Sequence, residues 1–162
     1  MEQYKTVYKT LDDMGIGYEI VEHPPALTTD DADRYLPDKE GVRTKTLFLC
    51  NRKSTAYYLV IMDGAKRLDF KRLYALLGEK DMRFCSEEKL FEKMSLFPGA
   101  VSLFGLINNS ERDIRVCLDS GMLTENFITF HPNDNTKTLF ISMADMYKFL
   151  KALGYEYSVL NL

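Results

Sequence analysis

Hydrophobic positions along this chain keep two rhythms. Tyr4, Val7, Tyr8, Leu11 and Met14 recur every three or four residues, which places them on one helical face, and Gly15 follows as a stop. The run "YEIVEH" at 18–23 reads as a short strand. "PPALTTDDADRYL" opens with a break. Thr28 or Thr29 can then cap a short helix with acids in its first turn, and Pro37 ends it. "TKTLFLCN" (44–51) and "TAYYLVIMD" (55–63) are apolar strands joined by "RKS", a hairpin pattern. Residues 69–78 predict a helix with Asp69 as cap and Gly78 as stop.

"MRFC" predicts a brief strand and "SEEKLFEKM" (86–94) a capped helix. "FPGAVSLFGLIN" (97–108) reads as a turn followed by a strand. Further strands are expected at 114–119, 126–130 and 138–142. A last helix is expected over 142–154, with Ser142 as cap and Gly154 as stop. Strands in hairpin order, with helices inserted between groups of them, make an α+β fold. The links are too short for a doubly wound parallel sheet. At 162 residues, with no repeat or linker, a single domain over 1–162 is expected.

Composition narrows the class. The chain is 46% hydrophobic and 28% charged, as an ordinary globular protein is. No apolar run approaches the roughly 20 residues that a membrane helix needs, and "MEQYKTVYKT" has no signal-peptide core, so a cytoplasmic protein without a membrane partner is expected. A net charge of −3 does not suit a protein that coats DNA by charge alone, though a local basic patch remains open. Cys50, Cys85 and Cys117 lie far apart in apolar runs, with no histidine at metal-ligand spacing. They read as buried reduced thiols, and no metal or cofactor is expected.

Three places can carry chemistry. Lys45 shares a strand face with Leu47 and Leu49, so its amine is either a partly desolvated cation for a phosphate or oxyanion, or a snorkelling surface charge. "PGAVSLFG" (98–105) sets a turn in which Gly99 can aim backbone N–H groups at a ligand. Ser102 adds a hydroxyl there, and Gly105 would let a substrate lie close; the plainer alternative is a turn feeding a strand. "TFHPNDNTKT" (129–138) puts His131 at a strand end before Asn133, Asp134 and Asn135, either a cleft wall or an Asx-stabilised turn. A Ser102–His131–Asp119 triad can be drawn, but no nucleophile-elbow motif supports it. Lys66, Arg67, Lys71 and Arg72 cluster around a helix start, either touching phosphates or forming a solvated face.

Taken in order, "EHPPALTTDDA", "TKTLFLCNRK", "YYLVIMDGAKRLDFKRL", "LFPGAVSLFGLINN", "VCLD" and "FHPNDNTKT" resemble the bacterial prolyl-tRNA editing proteins of the YbaK/ProX type, over nearly the whole chain and most nearly in the ProX branch. The resemblance implies a curved, mixed and largely antiparallel sheet around a pocket, with helices outside. It implies hydrolysis in trans of alanine wrongly attached to proline tRNA. The partners implied are the aminoacylated 3′ end of a tRNA and prolyl-tRNA synthetase. The family's functional lysine falls on Lys45, and its glycine-rich turn on Gly99, with Ser102 and Gly105 beyond. Its His-Pro-x-x-Asn loop falls on His131, Pro132 and Asn135, with Thr138 in the next strand. Two positions depart from the pattern: Thr46 stands where Asn is frequent, and Leu103 where Pro is usual. Both bear on substrate preference, which leaves seryl or cysteinyl esters open. A binding module without catalysis is the alternative of another class.

Overall fold

A computed structural model describes residues 2–162. At its centre is an eight-stranded mixed sheet. Across it run β1 (Glu19–Glu22), β7 (Lys137–Ser142), β6 (Phe127–Phe130), β2 (Val42–Asn51), β3 (Tyr57–Asp63), β5 (Ile114–Asp119) and β8 (Tyr157–Leu160). The eighth strand, β4 (Met82–Phe84), pairs with the C-terminal end of β2. The β1–β7, β6–β7, β2–β3 and β2–β4 pairs are antiparallel. The β2–β6, β3–β5 and β5–β8 pairs are parallel.

Five helices flank the sheet: α1 (Gln3–Asp13), α2 (Thr29–Tyr35), α3 (Phe70–Leu77), α4 (Glu87–Met94) and α5 (Met143–Leu153). Each of the last four starts where a side-chain oxygen can take a free first-turn N–H. Thr28, Asp69, Ser86 and Ser142 accept from the N–H groups of Asp31, Arg72, Lys89 and Asp145. None of these helices is long and apolar enough to cross a membrane among the described residues.

Strand alternation divides the core into two. On one face, Phe48, Tyr57, Leu59, Ile61, Val116 and Leu118 pack with residues of α1, α4 and α5 such as Leu11, Met94 and Phe149. On the other, Leu49, Tyr58, Val60 and Cys117 pack against Leu73 of α3. β3 is therefore apolar on both sides, which explains its unbroken hydrophobic run.

One expectation fails locally, and one strand was not foreseen. Residues 103–108 form a 3-10 helix, Leu103–Asn108, and no strand. The run is buried on all sides, and a short apolar run surrounded by core has no period that separates strand from helix. β8 was not expected at all. It is an edge strand with Tyr157 and Val159 exposed, so it shows little of the burial contrast that marks a strand. Cys50 and Cys117 are buried and free, while Cys85 is free but only half-buried. Burial pushes the Cys117 thiol up to about 11 and the Cys85 thiol up as well, so neither is an activated nucleophile.

Candidate active site

The parallel pairing of β2 with β6 is short. It joins Val42 to Ile128 and Arg43 to Thr129, and no further pair follows. Past that point β2 stays with β3 while β6 stays with β7. Two threonines bridge the fork: the Thr44 hydroxyl donates to the Thr129 carbonyl (2.5 Å), and the Thr129 hydroxyl to the Val42 carbonyl (2.8 Å). A cavity of about 250 Å³ opens there. α2 and the segment before it form one side, through Ala26, Thr28 and Ala32. Because the gap runs along the edge of β2, the successive residues Arg43, Thr44, Lys45 and Thr46 all border it, although alternate ones leave opposite faces.

Lys45, Thr46, Gly99, His131 and Thr138 all line this cavity. The Lys45 amine donates to the main-chain carbonyl of Lys66, in the turn between β3 and α3. An ammonium has three donors, so two remain for a ligand. Gly99 is the third residue of a turn closed by Ala100 N–H on the Phe97 carbonyl (3.2 Å), and its φ is +89°. That is the left-handed position a Pro-Gly turn requires. A Cβ there would stand 3.6 Å from Asn135 Nδ2, an ordinary contact, so glycine is needed for the angle and not for space. Among the described residues, the N–H groups of Gly99 and Val101, both cavity residues, have no hydrogen-bond partner.

His131 Nδ1 lies 2.7 Å from the Lys137 carbonyl. A carbonyl can only accept, so Nδ1 carries the proton and Nε2 presents a lone pair. Burial holds the His131 pKa below the usual histidine range, and the neighbouring His23 adds to this; the Lys137 bond opposes without reversing it. The ring is neutral at pH 7. His23 bonds Pro24 O through Nδ1 and Thr138 Oγ1 through Nε2, both at 2.8 Å, and stacks on Tyr35 of α2. It therefore ties the loop before α2 to β7.

Other expected site residues lie elsewhere. Ser102 is fully buried, and its hydroxyl accepts from Phe104 N–H (3.0 Å) to cap the 3-10 helix. It does not border the cavity. Gly105 sits in that helix against α4, where a Cβ would meet Leu96 Cδ1 and Met94 Sδ at 2.8 Å, so it serves packing and not a substrate. Leu103, the second departure from the family pattern, is likewise buried in the core. Asn135 stands beside the Gly99 turn, and its carbonyl accepts from Ala26 N–H (3.0 Å), which braces the cavity from outside. Of the basic cluster, Lys66 binds the buried Asp119 carboxylate (2.8 Å) and the Leu162 oxygen (2.6 Å). Arg72 donates to the Asn161 carbonyl (2.5 Å). Arg67 and Lys71 remain exposed.

Sequence reading missed Thr44, Thr129 and His23. The signal for His23 was present, since it begins the "HPPALTT" segment, but its link to Thr138 spans 115 positions.

A family model described as "Aminoacyl-tRNA editing domain" matches residues 23–149, the span from His23 into α5. The chain belongs to the aminoacyl-tRNA editing domain family. Among curated members, the prolyl-tRNA editing protein ProX of Acetoanaerobium sticklandii is 31% identical, over 100% of this chain and 99% of that one. The mouse prolyl-tRNA synthetase associated domain-containing protein 1 is 29% identical, over 91% of this chain and 89% of its own. A crystal structure named as a candidate trans-editing enzyme for prolyl tRNA synthetase superposes with a TM-score of 0.76 at 19% identity, covering 100% of this chain and 98% of that one. At that identity the likeness establishes the editing-domain fold, a mixed sheet with flanking helices.

Proposed function

We propose that this chain is a trans-acting aminoacyl-tRNA deacylase that removes alanine from mischarged proline tRNA. The observation that carries the reading is the convergence of Lys45, the Gly99 turn and His131 on one cavity, in a full-length relative of a prolyl-tRNA editing protein. The bond broken is the ester between the aminoacyl carbonyl and the terminal ribose. Water adds to the carbonyl carbon, and negative charge gathers on its oxygen. The N–H groups of Gly99 and Val101 are free to receive that oxygen, each such donor contributing about 3 kcal/mol when well placed. The remaining Lys45 donors steady the ribose–phosphate end. The Asp33 carboxylate is tied to Arg43 (3.1 Å) and His131 orients the substrate, so the neighbouring ribose hydroxyl places the water, and the alcohol leaves with the proton the water gives up.

Selectivity follows from size. A cavity sized for alanine rejects proline by overlap, whereas a pocket that must reject a smaller group gains just ~1–3 kcal/mol per methylene. Exposed Arg67 and Lys71 beside the Lys66 turn are placed to meet tRNA phosphates. The reading requires the cytoplasm, where tRNA is charged, and a working association with prolyl-tRNA synthetase.

A second reading rests on Thr46. It lines the cavity, and among the described residues its hydroxyl has no hydrogen-bond partner, so it can bond the side chain of a seryl or cysteinyl ester. The test is to follow amino-acid release from proline tRNA charged with alanine, serine, cysteine or proline. Fastest release of alanine supports the first reading, and fastest release of serine or cysteine the second. Binding without release from any ester would mark a sensing module and end both.

A further inference from the structure

Seven side chains of the cavity could in principle either donate or accept: Thr28, Thr29 and Thr46, and a group of four from β2 and the β6–β7 hairpin, Thr44, Thr129, Thr138 and His131. In this fold the proton of each of those four is already committed. Thr44 gives its proton to the Thr129 carbonyl, and Thr129 to the Val42 carbonyl. His131 Nδ1–H goes to the Lys137 carbonyl at 2.7 Å. Thr138 faces His23 Nε2 at 2.8 Å, and that ring must donate from Nδ1 to the Pro24 carbonyl, so in the neutral ring Nε2 accepts and Thr138 donates. What this wall can offer a ligand is lone pairs, from β2, β6 and β7 at once. Two cations border the cavity: Arg43 is answered by the Asp33 carboxylate (3.1 Å) and the Gly41 carbonyl (2.7 Å), and Lys45 is held through its amine by the Lys66 carbonyl alone.

We infer that the Thr44–Thr129–Thr138–His131 wall is the subsite for the α-ammonium group of the aminoacyl ester. The inference rests on the deacylase reading and adds the orientation of the substrate within it. An ammonium brings three donors and no acceptor, which is the complement of an acceptor-only wall. A ribose hydroxyl brings lone pairs as well, and these would face the lone pairs of the wall. Charge fixes the polarity along the cavity: Asp33 offsets Arg43, so the ammonium sits at the threonines, and the ester oxygen and phosphate end lie toward the Lys45 amine. The subsite also makes the amino group a criterion of recognition, so that N-blocked aminoacyl-tRNA is refused.

The test uses stable amide analogues, so that it reads whether or not the chain turns over. Binding of 3′-alanylamino-3′-deoxyadenosine is compared by calorimetry or NMR titration with its propionyl analogue, which lacks the ammonium, and its lactyl analogue, which carries a neutral hydroxyl. The alanyl compound is expected to bind about 30-fold more tightly than the propionyl one, with the lactyl compound between them. Thr138→Val, nearly isosteric, should narrow that ratio several-fold; Thr44→Val replaces it if the first variant does not fold. Equal affinity for the alanyl and propionyl compounds, lactyl binding as tight as alanyl, or no binding of the alanyl compound would each overturn the subsite. Ester hydrolysis separates the two levels. Alanyl- and propionyl-tRNA cleaved equally fast, each relative to its uncatalysed rate, would remove the subsite and leave the deacylase standing.

Discussion

Two polar clusters in this molecule are built to opposite ends. One lies between α4 and β5. Lys93, 6% exposed, binds Asp113 (2.6 Å) and Glu111 (3.2 Å) and sits 4.9 Å from the Tyr57 ring centroid. Asn109 donates to Asp113 (3.1 Å), and Tyr155 donates to Asn109 Oδ1 (2.8 Å). The bond from Asp113 raises the Lys93 pKa against the effect of burial, and burial pushes the Tyr155 hydroxyl up to about 12. Donors and acceptors there answer one another, so the cluster holds structure and has little to give a ligand. The other cluster lines the fork between β2 and β6. The protons of Thr44, Thr129, Thr138 and His131 are answered, but their lone pairs, two of the Lys45 donors and the Gly99 and Val101 N–H groups are not. Polarity alone does not separate a site from a strut. What separates them is whether the hydrogen-bonding capacity is closed within the protein.

Substitutions can sharpen or break this contrast. The largest effect is expected from Lys45→Ala: alanyl-tRNA deacylation falls at least 100-fold, about 3 kcal/mol in the barrier, with an unchanged denaturation midpoint. A large loss of stability instead would make Lys45 a strut. Asp113→Ala should do the reverse, destabilising the fold by about 2 kcal/mol because the buried Lys93 loses its shorter ion pair, while activity per folded molecule holds. Urea unfolding monitored alongside the deacylation assay reads both. Gly99→Ala should cost about 1–2 kcal/mol, divided between stability and rate, because alanine resists a φ of +89°.

A smaller effect concerns pH. The neutral His131 ring is the accepting form, and its pKa is lowered, so the ring stays neutral as pH falls through the ordinary histidine value of about 6.5. The acid limb of kcat/KM is therefore expected below that value, and a limb above it would contradict the assigned tautomer. The smallest change is expected from Arg67→Ala with Lys71→Ala. If both meet phosphates, KM should rise modestly and the slope of log affinity against log salt should become shallower by about one unit per lost contact.

Much of the architecture was legible from local pattern. The helix starts at Thr28, Asp69, Ser86 and Ser142 were visible because a cap is a short-range event. The 3-10 helix was not, although its cap, Ser102, had been singled out as a candidate for chemistry. A serine ahead of an apolar run serves either role, and burial decides between them. Lys45, Gly99 and His131, singled out by motif, all border the cavity. The threonine wall was hidden because each of its bonds joins segments distant in sequence, as Thr44 to the Thr129 carbonyl across 85 positions.

The two-pair seam between β2 and β6 has a consequence for fidelity. It is the line from which the cleft opens, and its first pair, Val42 and Ile128, is buried in the core. Trimming that pair by one methyl, Ile128→Val for example, would loosen the walls at a cost of about 1 kcal/mol, which leaves the molecule folded. Prolyl esters would then enter, and the protein would discharge correctly charged tRNA while still folded.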